Sequence, residues 1–173
     1  MVEPEIAFID LKQLQILIED FIKYIVKYVL ENCSDEIEFF NKDKPFIKER
    51  INYLINGEYK KIDYKDAIEI LKKAISEGHK FDDNDIFFGK DLSSEHERYL
   101  CEKVYNAPIF LQNFPKEIKA FYMKQNPDGI TVAANDLLVP GVGEIIGGSQ
   151  REDDYDKLVT RCNEMNIATP SIQ

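Results

Sequence analysis

"PIFLQNFPKEIKAFYMKQNPDGITVAANDLLVPGVGEIIGGSQRE", Pro108 to Glu152, sets the architecture of this chain. Four runs within it, "PIFLQNF", "IKAFYMKQ", "ITVAANDLLV" and "GEIIGGS", are rich in strand formers, and "PKE", "NPDG" and "PGV" between them are turn signals. NPDG is too short for a crossover, so the two strands it joins are antiparallel neighbours. The last run leads into "REDDYDKLVTRCNEM", whose first turn is acidic and whose Tyr155, Leu158, Val159 and Cys162 share one helical face. Upstream, Asp10 caps an amphipathic helix in which Leu11, Leu14, Ile18, Phe21, Ile22, Ile25 and Val29 form a core-facing stripe. "YKDAIEILKKAISEG" forms a second helix, with Ala67, Ile70, Leu71 and Ala74 apolar and Gly78 as its stop, and "SSEHERYLCEKVY" a third, capped by Ser93 or Ser94. Val2 to Phe8 reads as a strand. The reading is one α+β domain over residues 1–173, an antiparallel sheet flanked by helices, with residues 34–62 as a variable, partly helical insertion.

Composition narrows the function. Twenty-two basic against 32 acidic residues leave a net charge of −10, so the average field of this surface opposes a nonspecific grip on a nucleic-acid backbone. Any such contact needs a local basic patch or a part outside this chain. Cys33, Cys101 and Cys162 are odd in number and far apart, which suggests neither a disulfide framework nor a zinc knuckle, and a reducing cytoplasm is the expected home. No leader is visible, and the longest apolar region carries Glu19, Asp20, Lys23 and Lys27, so no membrane role is expected. His79 and His96 lack ligand-spaced partners and are expected at the surface. Neither a nucleophile elbow, a dinucleotide fingerprint nor a Walker loop is present.

What remains is Glu144, a lone carboxylate in "GEIIGGS". Alternation puts Glu144, Ile146 and Gly148 on one face and Ile145, Gly147 and Ser149 on the other. A carboxylate on a covered sheet face needs a cation or a donor, which Arg151 or a metal would supply. Strict alternation separates Glu144 from Arg151; a bulge at Gly147–Gly148, or the turn into the helix, would unite them. On these residues alone, a structural ion pair and a ligand site are both open.

"VEPEIAF", "HERYL" and "FPKEIKAFYMKQNPDGITVAANDLLVPGVGEIIGGSQRE" together resemble the asparaginyl-tRNA synthetases, class II enzymes related to the aspartyl synthetases. The resemblance runs in order from Met1 to about Ile167, weakest over Ser34–Ile62 and densest over Pro115–Glu152. It implies part of a class II catalytic core, from near the end of motif 2 to a point before motif 3. By this resemblance Glu144 binds ATP with magnesium, and Arg151 contacts the side chain of the amino acid. Glu3 resembles the acidic residue facing that same side chain. Related aspartyl enzymes carry a serine where this chain has Gly147, so only backbone at Gly147 carries over. Lys119 faces ligand phosphate or is merely solvated, Asp136 lies near the nucleotide or caps a turn, and Glu5 orients its neighbours.

The implied reaction is ATP-dependent activation of asparagine followed by transfer to tRNA(Asn), in a parent that is a homodimer. An arginine donor and a glutamate acceptor suit an amide, whereas aspartate would set its carboxylate against Glu3. The ATP-clamping arginines of motifs 2 and 3, the motif 1 helix and an anticodon-binding barrel are not found here, so these residues alone are expected to be inactive. The rival expectations are a related asparagine synthetase using aspartate and ammonia, and a noncatalytic binding module.

Overall fold

A computed structural model describes residues 2–44 and 46–167, so the outer limits of the 1–173 domain fall outside the described residues. Six α-helices and four strands follow in the order α1 (Leu11–Asn32), α2 (Ser34–Asp43), α3 (Phe46–Asn56), β1 (Lys60–Asp63), α4 (Tyr64–Ser76), α5 (Ser94–Arg98), β2 (Ile109–Pro115), β3 (Thr131–Val139), β4 (Gly143–Ser149) and α6 (Tyr155–Glu164). A π-helical turn, Tyr99–Val104, extends α5, and a 3-10 turn, Lys116–Ile118, follows β2. The strands form one sheet in the order β1-β2-β3-β4, antiparallel except for the parallel β1–β2 edge.

The sheet separates two apolar layers. On one face α4, the π-helical turn and the loop at Phe81–Ile86 cover Leu111, Val132, Ala134 and Leu138 through Tyr64, Ile68, Leu71 and Leu100. On the other, Ile18 of α1 and Tyr59 meet Phe110, Leu137 and Val139, with Leu54 of α3 alongside. Burying each such large apolar side chain stabilises the fold by about 1.5–3 kcal/mol before chain entropy is set against it.

Helix ends follow their local chemistry. Asp10 caps α1 by accepting from the Gln13 amide at 2.8 Å, and Gln13 Oε1 accepts from the Asp10 amide at 3.0 Å, a reciprocal capping box. Past the end of α4, the amides of Gly78 and His79 return to the carbonyls of Ile75 and Ala74. Asp154 caps α6.

Several expectations change. Val2–Phe8 is not a strand: its residues are strand formers, but a ladder needs a partner and none pairs with it among the described residues. "IKAFYMKQ" contributes only two isolated bridges, Met123 to Arg151 and Gln125 to Val132, because the 3-10 turn and a further turn interrupt it. The second bridge is antiparallel across NPDG, as the turn length requires. Residues 34–62 form α2 and α3, and their last residues enter β1, an edge strand too short to show alternation. The α1 stripe buries Ile18 but leaves Phe21 and Ile25 exposed, while polar Gln15 is buried by donating to Gln112 at 2.8 Å. In α4 the buried isoleucine is Ile68, and Ile70 is partly covered. Tyr155 of α6 is exposed.

Candidate functional site

β4 is one edge of the sheet, opposite the β1 edge, and the predicted site residues lie along it or opposite it. Its ladder to β3 pairs Leu138 with Glu144 but Leu137 with Ile146, leaving Ile145 as an extra residue. This bulge sits two residues before the expected one at Gly147–Gly148. Its effect is to break strict alternation, so that Glu144 and Gly147 oppose Leu138 and Asp136 and share their face. Ile146 and Gly148 turn to the α1 side, where Ile146 packs on the Ile18 cluster.

At the start of β4, Asp136 pairs with Lys119, and the carboxylates of Glu144 and Glu97 lie near Asp136. Lys119 Nζ lies 3.0 Å from Asp136 Oδ2 and 3.9 Å from the centre of the Phe114 ring, so this lysine is held by a carboxylate and an aromatic face. Glu97 Oε2 accepts the Glu144 amide at 3.2 Å. Asp136 is 8% exposed, and burial pushes its pKa up against the opposing pull of Lys119. Glu144 is an exposed residue rather than a covered one, yet shielding of its carboxyl and then the charge of Asp136 raise its pKa. Glu97 is raised by burial first and also by Glu144 and Asp136. A Cβ at Gly147 would stand 2.8 Å from Glu144 Oε1 and 3.3 Å from Asp136 Oδ1, so both carboxylates border the space that glycine leaves open.

Past the other end, Arg151 faces the segment before α1. Its Nη2 donates to Glu5 Oε1 at 2.5 Å and its Nε to Glu5 Oε2 at 3.3 Å, while Nη1 donates to Ser149 Oγ at 3.1 Å. The guanidinium also lies 4.4 Å from the centre of the Tyr122 ring. Arg151 holds the Glu5 carboxyl below its usual range. A cavity of about 1110 Å³ opens here, with Glu3, Glu5, Tyr122, Gly147, Ser149 and Arg151 in its wall. Glu3 therefore shares the cavity with Arg151, but Glu5 makes the ion pair. Sequence parity groups Glu5 with Glu3; what parity lacks is the turn at Ala7–Phe8, which carries the chain back toward β4. Gln150 accepts from the Leu11 amide at 3.2 Å and fixes the start of α1 to the same edge.

Gly147 borders both groups, whereas Glu144 is not part of the cavity wall. His96 is buried, contrary to expectation. Its Nδ1 accepts from the Ser93 amide at 3.1 Å and its Nε2 lies 2.8 Å from the Asp83 carbonyl oxygen, so it is a cap of α5 and not a surface group. His79 is exposed. Among the described residues no three His, Cys, Asp or Glu side chains converge as a metal site. The oxygen donors Glu144 and Asp136 fit a hard cation such as magnesium that takes its remaining ligands from phosphates and water. No described helix is long and apolar enough to cross a membrane.

Known proteins resemble this chain in sequence and fold. A protein called asparagine–tRNA ligase from Ureaplasma urealyticum is 53% identical over 175 residues, covering 100% of this chain and 38% of its own length. One of the same name from Mycoplasma mycoides is 56% identical over 168 residues, with 96% and 37% covered. This chain thus spans well under half the length of these relatives. The crystal structure of asparaginyl-tRNA synthetase from Pyrococcus horikoshii complexed with asparaginyl-adenylate superposes with a TM-score of 0.76 at 38% identity, over 94% of this chain and 35% of that one. The family of tRNA synthetases class II (D, K and N) matches residues 1–172, and this chain belongs to it.

Proposed function

We propose that this chain is part of the catalytic core of an asparagine–tRNA ligase, which joins asparagine to ATP as asparaginyl-adenylate and then transfers the asparaginyl group to tRNA(Asn). The observation that carries the reading is the division of labour along one strand. An acidic end, with Glu144 on β4 and Asp136 beside it on β3, is followed within seven residues by an arginine–glutamate cavity, and on this reading the acidic end serves phosphate and metal.

In this reading Arg151 donates to the side-chain oxygen of asparagine, and Glu3 or Glu5 accepts from its NH2 group. The Glu5–Arg151 pair holds the guanidinium over the Tyr122 ring, where it can serve a planar amide. The carboxylate of asparagine then attacks the α-phosphate of ATP, and pyrophosphate leaves. Glu144, with Asp136 beside it, would hold magnesium, which neutralises phosphate charge when bound. Lys119, already paired with Asp136, sets the local charge of that end and orients its carboxylate toward the open space at Gly147. Catalysis is then positioning and charge stabilisation, with no general base required from these residues. The tRNA and the second protomer of a dimer would meet parts of the protein beyond those described.

The test is asparagine-dependent ATP–pyrophosphate exchange by the full-length protein, with aspartate as the competing substrate. Exchange with asparagine and little with aspartate is the expected result. Free asparagine formed from aspartate and ammonia would point to a synthetase of the amino acid instead, and binding of neither ATP nor asparaginyl-adenylate would sink both readings.

A further inference from the structure

The 34–62 segment reaches the nucleotide end of β4, and the reading above gives it no task. Arg50, on the last turn but one of α3, lays its guanidinium against the turn that joins β3 to β4. A Cβ added to Gly141 would meet that guanidinium, the mobile end of a long side chain, and Gly141 itself sits at a φ of +86°, the backbone conformation that calls for glycine here. Phe46, one turn earlier on α3, stacks beneath the Arg50 guanidinium at 4.2 Å and restricts its rotamers. Glu102, which lines the same groove as Arg50, accepts the Gly141 amide at 2.6 Å, and Glu97 accepts the Glu144 amide at 3.2 Å. The backbone from Gly141 to Glu144 is thus contacted by Arg50 of α3 and by carboxylates of α5 and its π-helical extension. Only three peptide units separate the gripped glycine from the carboxylate-bearing residue, and Gly143 between them is another positive-φ hinge, at +95°.

We infer that Arg50 is a positioning residue: it locks the Pro140–Gly143 turn and thereby fixes where the Glu144 carboxylate stands. The inference rests on the proposed role of Glu144 toward ATP and magnesium. Without the guanidinium, the turn keeps its two carboxylate grips but loses the contact that covers Gly141, and the start of β4 gains freedom. A carboxylate displaced by an ångström loses much of its value to a phosphate-bound cation. Arg151, seven residues farther along and anchored by Glu5 and Ser149, is insulated from that change by the β3 ladder.

The experiment compares Arg50→Ala and Arg50→Met with wild type in the full-length protein. Methionine keeps an apolar stem in the groove between α3 and the turn, so it separates the guanidinium from simple packing loss. The expected result is a rise of about 5- to 10-fold in KM for ATP and in the magnesium concentration giving half-maximal exchange, with KM for asparagine within about twofold. The amides of Gly141 and Glu144 should also exchange with deuterium faster in both variants, while core amides in β3 do not change. Equal increases in both KM values, or unchanged exchange at Gly141 and Glu144, would overturn the inference. If the wild-type protein shows no asparagine-dependent turnover, the ligase reading fails by itself, and the amide exchange still decides whether Arg50 locks the turn.

Discussion

The two ends of β4 solve opposite electrostatic problems. At the start, Asp136 pairs with Lys119 beside Glu144 and Glu97, and all three carboxyl groups are pushed up, first by burial, with Asp136 adding to the shift at Glu144 and Glu97 and Asp91 adding at all three. Past the end, Arg151 and Glu5 pair directly in the wall of an open cavity, and Glu5 is pulled down. The acids at one end share a single lysine, which Asp136 holds, whereas the arginine and glutamate at the other pair with each other. An edge strand, rather than a central one, makes room for both, because one side of its backbone carries no neighbour among the described residues.

Breaking the acidic end should have the largest effect. Glu144→Ala is expected to lower asparagine-dependent exchange in the full-length protein by about 100- to 1,000-fold, the range seen when one preorganised charge-stabilising group is removed. Retained activity within tenfold would move the nucleotide site away from β4. Arg151→Ala should come next, through loss of charged hydrogen bonds to the substrate amide worth about 1.5–3 kcal/mol, or roughly 10- to 150-fold in kcat/KM for asparagine. Thermal stability should scarcely move, because the Arg151–Glu5 pair is largely exposed and such pairs contribute about 0–1 kcal/mol. A large Tm loss would make Arg151 chiefly structural and weaken the contrast between the two ends.

Gly147 joins the two ends, and its replacement sharpens the comparison. In Gly147→Ala the new methyl meets the tip of the Glu144 side chain, which can swing aside, so the stability cost should stay within about 1 kcal/mol. The displaced carboxylate should nevertheless raise KM for ATP several-fold, with KM for asparagine changing less. Circular-dichroism melting and the two KM values decide this directly. A stability loss without any change in KM for ATP would mean that the Glu144 tip has no set position to lose.

Much of this was legible in residue order, for identifiable reasons. Strands β2, β3 and β4 and helices α1, α4 and α6 announce themselves through period, cap and turn, since each of those signals is local. The NPDG turn pairs its flanks by length alone. Val2–Phe8 was misread because strand composition is local while strand pairing is not. β1 escaped notice because four residues parallel to a distant partner carry no alternation to read. His96 looked exposed between two glutamates, yet a cap at the third helical position draws it inward to Ser93 and Asp83. The site shows the same division. Glu144, Gly147 and Arg151 stand together in one motif, but Glu5, Asp136 with Lys119, and Glu97 depend on a bulge at Ile145 and on long-range packing.

The smallest expected effect is a pH signature that separates the two ends. Glu144, Asp136 and Glu97 bind their protons more tightly folded than unfolded, so the native state holds more protons as pH rises through and above the ordinary carboxylate range. Stability must therefore fall with rising pH across that window, until the raised folded pKa values have been passed. Glu5 runs the other way: its folded pKa is lowered, so its contribution is present above the ordinary range and is lost as pH falls through the depressed value. Glu144→Gln should flatten the fall on the rising side, since an amide cannot ionise and also relieves Asp136. Glu5→Gln should leave that side alone and soften the loss on the acid side, by a small amount because the pair is exposed. Denaturant unfolding from pH 3 to 8 measures both slopes. If Glu144→Gln leaves the rising side unchanged, Asp136 and Glu97 carry the burden without it, and Glu144 stands free of the acidic group until a ligand draws it in.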